Sequence, residues 1–161
     1  MTLALKLVGA IAIAAVAGST ALARAQSSAA AQKKNPYRNY TEEKFVENMQ
    51  AAGRNYAAVT TLIGDGDFES AKAQLTRARE QLAITITFWR DRQKDDAIKM
   101  LREALNGMDG LDTVLSANPV DSPAAKTASA RVNAACSACH AVYREQDPAT
   151  KAYRLKPGSA Q

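Results

Sequence analysis

Apolar residues recur every three or four positions in four blocks of similar length. In the first block Phe45, Met49, Ala52, Tyr56, Val59 and Ile63 follow one another at steps of 4, 3, 4, 3 and 4. That is one face of an α-helix, in which each residue turns by about 100°. The pattern predicts a helix capped by Thr41, with Glu42 and Glu43 in a first turn that favours acids. Gly64 is its expected stop, and Asp65-Gly66 its turn. A second helix is predicted over 67–90 on the stripe Phe68, Ala71, Leu75, Ala78, Leu82, Ile86 and Trp89. A third is predicted over 95–117 on Ile98, Leu101, Leu105, Met108, Leu111 and Leu115. Gly107 and Gly110 weaken it and suggest a kink or frayed turn. The fourth is predicted from Ser122 as N-cap, with Pro123 at the first helical position, to about Gln146, on Ala125, Ala128, Val132, Ala135, Cys139 and Val142.

Four amphipathic helices with short links and no strand alternation predict an all-α fold, an up-down-up-down antiparallel four-helix bundle. Its expected span is residues 41–146, followed by an extended tail at 147–161. Ahead of it, residues 26–40 read as a small, polar, flexible leader.

Residues 1–25 have a different organisation. Lys6 precedes an apolar run over 7–18, and Ala23-Arg24-Ala25 supplies small residues at a cleavage position. This is the layout of a secretory signal peptide, and the run falls short of the ~20 apolar residues that span a bilayer. An uncleaved anchor is the competing interpretation. The whole chain carries a net charge of +5, and cleavage after Ala25 would remove Lys6 and Arg24 with no acid. The remainder is mildly basic, with its cations interleaved among acids. That gives no case for nucleic acid as a partner. Export would place the chain in an oxidising compartment.

The candidate chemistry is concentrated in Cys136-Ser137-Ala138-Cys139-His140, which holds both cysteines and the sole histidine of the chain. On a helix, with Cys136 at zero, Cys139 lies near about −60° and His140 near about +40°, so all three leave one arc. Two thiols one turn apart can add across the vinyl groups on one edge of a porphyrin, with the imidazole beneath to ligate iron. C-x-x-C-H is the attachment signature of haem c for that reason. Structural zinc wants four N or S ligands, and three are present. A thioredoxin-like dithiol wants its C-x-x-C at a helix start beside a βαβ unit, and here the motif is near a helix end. A chance occurrence in a buried turn explains neither the signal segment nor the position of the only histidine.

The stretch Cys136 to Arg144, CSACHAVYR, resembles the C-x-x-C-H-x-x-[FY]-R end of the class II c-type cytochromes, the cytochrome c-prime family. The resemblance covers residues 41–144. It implies an exported, periplasmic four-helix bundle with one covalent haem c on the last helix. Cys136 and Cys139 would carry the thioethers and His140 would be the proximal ligand. Arg144 would be the basic residue one turn later, beside the proximal face or a propionate; the alternative is a solvated arginine suited to a helix C-terminus. Two functions follow from the family. One is electron transfer to a redox partner protein, with a sulfur ligand from a first-helix methionine. The other is binding of NO or CO on a vacant distal face. Met49 is the candidate sixth ligand, although methionine at helical spacing also serves as core filler. Phe45 would cap the iron instead, and Met108 is the poorer candidate. Trp89 would pack on the haem edge or in the core. Many relatives dimerise, so a homodimer is allowed. A haem-free helical dithiol module is the third interpretation. With the only histidine committed to iron and no carboxylate pair set by spacing, the chain does not read as an enzyme. The tail is longer than the family's, and its Tyr153, Arg154 and Lys156 are candidates to fold back toward the propionates.

Overall fold

The structure, a computed structural model, describes residues 40–161. The expected signal peptide and all but the last residue of the leader lie outside the described residues. That last residue, Tyr40, packs edge-on against Phe88 and shares a hydrogen bond with Asn48.

Helix α1, Glu42–Asp65, begins where the sequence predicts. The Thr41 hydroxyl accepts from the Lys44 amide at 3.3 Å, with Glu42 and Glu43 in the first turn. The helix runs past Gly64 and stops at Gly66, whose φ of 78° is the left-handed cap that glycine adopts without strain. Helix α2, Phe68–Ile84, is capped by Asp67, which accepts from the Ser70 amide at 3.1 Å.

The single helix expected over 67–90 is two. Thr85 interrupts it, and α3, Ile86–Asp91, follows. The reason is local: Ile84-Thr85-Ile86-Thr87 is a run of β-branched residues that crowd the preceding turn. The fully buried Thr85 donates from Oγ1 to the Leu82 carbonyl at 2.6 Å, competing with the helical ladder.

Helix α4, Asp95–Leu115, continues unbroken through Gly107 and Gly110, with no frayed turn there. Gly107 has a packing role. A Cβ there would sit 3.2 Å from Val132 Cγ2, so the missing side chain lets α4 approach the next helix. That helix, α5, spans Ser122–Tyr143. Its N-cap is Asp121, which accepts from the Ala124 amide at 3.0 Å, and Ser122 is one residue inside.

Helix α5 ends at Tyr143, three residues before the expected Gln146. Arg144 leaves helical geometry at φ −111°, ψ 140° and opens strand β1, Arg144–Gln146. Strand β2, Tyr153–Leu155, pairs antiparallel with it, setting Arg144 opposite Leu155, Glu145 opposite Arg154 and Gln146 opposite Tyr153. The expected extended tail is therefore the second arm of a hairpin. In the connecting turn Asp147 Oδ1 accepts from the Ala149 and Thr150 amides at 2.9 and 2.8 Å. Lys156 closes the end of α5: its amide donates to the Tyr143 carbonyl at 2.9 Å and its Nζ to Ala141 at 2.7 Å.

The described chain is predominantly helical, an all-α protein with this one short hairpin. Helix α1 packs along α2, α2 along α4, α4 along α5, and α5 back on α1. Val59, Leu75, Phe88, Leu111 and Val132 fill the shared core. A large apolar side chain buried in this way stabilises the fold by about 2 kcal/mol. Tyr56 donates its hydroxyl to the Ser129 carbonyl at 2.9 Å, which ties α1 to α5 through the core. The predicted stripe of α1 is buried at Phe45, Ala52, Tyr56, Val59 and Ile63, whereas Met49 is only half-buried. On α5 the expected Val142 is 45% exposed, and its neighbour Tyr143 points inward at 6%.

Candidate functional site

A cavity of about 450 Å³ opens beside the C-terminal turn of α5, within the usual size of a small-ligand pocket. One wall is α1, which supplies Phe45, Val46, Met49, Gln50 and Gly53. The facing wall is α5 and the strand after it, with Cys139, His140, Tyr143 and Arg144. Trp89 and Leu101 line it from α3 and α4. The hairpin closes it with residues 151–155.

An aromatic cluster fixes one side. The Phe45 and Phe88 rings stack with centroids 4.2 Å apart, and both meet Trp89 edge-on at 5.1 and 5.0 Å. Trp89 in turn lies 4.6 Å from the Tyr143 ring. Trp89 is therefore core and cavity wall together, and Phe45 is held in place by its neighbours. Such pairs favour offset or edge-to-face contact and add rigidity beyond area burial.

Half-burial and the nearby Arg144 cation push the His140 pKa down to about 4. The imidazole is consequently neutral at physiological pH, the form in which a ring nitrogen can ligate a metal. Burial pushes the Cys139 thiol up to about 11, helped by Cys136 and Asp96, and raises Cys136 as well. Both cysteines are unbridged. A dithiol oxidoreductase needs a stabilised thiolate, and this surrounding works against one. Among the described residues no three His, Cys, Asp or Glu side chains converge as a metal-ion cage.

Of the five residues assigned from the sequence to hold haem, the cavity brings together four, Met49, Cys139, His140 and Arg144. Cys136 is half-buried against the core, one turn before Cys139 on α5, and is not among the residues that line it. Met108 is buried inside α4 at 1% exposure and Tyr56 is engaged with Ser129; neither reaches the cavity. Arg144 was expected on the helical face of His140. It has instead left the helix, because β1 begins there, and it lines the cavity with its guanidinium carbon 4.1 Å from the Tyr153 ring centre.

Residues that sequence reasoning missed are Val46, Gln50, Leu101 and Tyr143 on the walls, and Lys151, Ala152 and Leu155 from the hairpin. The aromatic at Tyr143 stood within the motif without a role of its own. Its hydroxyl donates to Asp96 Oδ2 at 2.5 Å. The hairpin residues carried no periodic signal.

The donor set suits a largely apolar group that carries negative charge. It offers a neutral imidazole, a thiol beside it, a thioether on the other wall, aromatic and aliphatic surface, and cations at the hairpin end. No protein-family model matches this chain, and no curated protein or solved structure matches it either.

Proposed function

We propose that this chain is an exported, mono-haem class II c-type cytochrome, a periplasmic electron carrier of the cytochrome c-prime kind. The observation that carries the reading is the cavity. Cys139 and His140 of the C-x-x-C-H motif stand on one wall and Met49 stands on the other. In this reading Cys136 and Cys139 hold one haem c by thioether bonds, and His140 is its proximal ligand. Bound there, the haem iron supplies a one-electron couple.

The residues of the chain perform the remaining tasks. Burial keeps His140 unprotonated and so available as a ligand. The ring cluster of Phe45, Phe88 and Trp89 excludes water from one side and gives a rigid surface, which lowers the reorganisation that accompanies electron transfer. Met49 is the one member of the α1 stripe left half-buried, and it faces the cavity. A buried filler methionine would have joined its neighbours in the core, so we assign Met49 as the sixth ligand. The links of a few residues between α1 and α2, and between α3 and α4, support an up-down-up-down antiparallel four-helix bundle. The layout of residues 1–25 supports cleavage and export.

A second reading has its own observation. Next to Met49 the α1 wall offers Gly53, around whose α-carbon there is open space. With Met49 turned aside, that wall would leave an apolar distal face for NO or CO. Haem staining on a denaturing gel tests covalent attachment, because only thioether-bound haem survives. The visible spectrum with and without CO then separates the two readings. A low-spin spectrum indifferent to CO supports electron transfer; a high-spin spectrum that shifts with CO supports gas binding. An unstained band leaves the haem-free dithiol module.

A further inference from the structure

The cavity has a marked charge asymmetry. Arg144, Lys151 and Arg154 all line it, and none of its lining residues is an aspartate or glutamate. All three come from the segment after α5, where the helical pattern has ended.

The three cations are held differently. Arg154 is committed to the hairpin: its Nε donates to Glu145 Oε1 at 2.9 Å, and its NH1 lies 2.9 Å from Asp147 Oδ2. It acts as a rivet for the strap. Arg144 lies over the Tyr153 ring, and Lys151 stands in the turn; among the described residues neither is in an ion pair. Lys151 also has a backbone φ of 60°, a left-handed position where glycine or asparagine is the ordinary choice. The turn holds it there. Its amide donates to the Asp147 carbonyl at 2.9 Å, and its carbonyl accepts from Gln146 Nε2 at 2.9 Å. The turn thus fixes Lys151 as a cation in the lining of a cavity that no acid lines.

We infer that the hairpin is an anion clamp, in which Arg144 and Lys151 bind the carboxylates on the edge of the ligand while the Arg154 rivet holds the clamp shut. This rests on the haem reading, with the two propionates as those carboxylates. Arg144 offers a planar fork for two parallel hydrogen bonds, and Lys151 a mobile point charge. The role of both is positioning.

The test uses the full chain carrying Cys136→Ser and Cys139→Ser, which cannot form thioethers, titrated with ferric haem and with ferric haem dimethyl ester. The clamp predicts tighter binding of the diacid. Lys151→Gln or Arg144→Gln should each reduce that preference by about three- to tenfold, the worth of a partly exposed charge pair, and Lys151→Arg should retain it. Affinity for the ester should stay the same in all four chains, a readout that a general loss of structure would not leave untouched. Equal affinity for diacid and ester, or no binding of either, overturns the clamp. Haem staining of the wild-type chain, run alongside, distinguishes failure of the clamp from failure of the haem reading.

Discussion

The Tyr143 hydroxyl donates to Asp96 Oδ2 at 2.5 Å, joining the last residue of α5 to the first turn of α4. The bond lies beside the cavity wall and three residues from His140. It holds the Asp96 carboxyl below the usual carboxylate range, and burial with the same bond raises the Tyr143 hydroxyl above its usual value.

Tyr143→Phe should therefore cost stability in a pH-dependent way. The folded pKa of Asp96 is depressed, so its contribution is fully present above the unfolded carboxylate pKa of about 3.9. It fades as pH falls through the lower folded value. Thermal midpoints of wild type and Tyr143→Phe should differ at pH 7 and draw together as pH falls below the ordinary carboxylate range. A constant difference over that range would show that the bond does not set the Asp96 titration.

His140 gives a second pH signature in a chain with Cys136→Ser and Cys139→Ser, studied without haem. The folded pKa of about 4 lies below the unfolded value of about 6.5, so the unfolded state binds more protons between them. Stability should be full above about pH 6.5 and decline as pH falls toward 4. Adding His140→Gln should flatten that slope, as read by denaturant midpoints across the range.

If haem is bound as proposed, Met49→Ala should expose its distal face. The oxidised spectrum should become high-spin, the reduced form should bind CO, and the reduction potential should fall with loss of the thioether ligand. A spectrum unchanged by the substitution would make Met49 a wall residue and nothing more.

Gly107 and Gly110 have equal helical propensity and opposite surroundings. Gly110→Ala meets no atom within 4 Å and should stabilise the protein by about 1 kcal/mol. Gly107→Ala meets Val132 Cγ2 at 3.2 Å and should return about that much. Combining it with Val132→Ala removes the clash, and the penalty attributable to Gly107→Ala should vanish in chemical denaturation.

The helices were legible because each rests on local chemistry. Thr41 caps α1, and the steps of three and four mark its buried face. The break at Thr85 was also written locally, in Ile84-Thr85-Ile86-Thr87, but the amphipathic stripe ran across it and masked it. The hairpin was not legible. Strands of three residues are too short for alternation to register, and pairing Arg144 with Leu155 is a contact between segments with no shared period. The inward turn of Tyr143 in place of Val142 has the same origin. The stripe was extended along a helix that ends there, and the hydroxyl partner Asp96 lies 47 positions away.

The wall formed by residues 151–155 hangs on few bonds: three residue pairs of the β1–β2 hairpin and the two that Lys156 donates to the Tyr143 and Ala141 carbonyls. The cavity is thus bounded on its cationic side by the smallest cooperative unit of the fold, and amide exchange there should outpace that of α1 and α5.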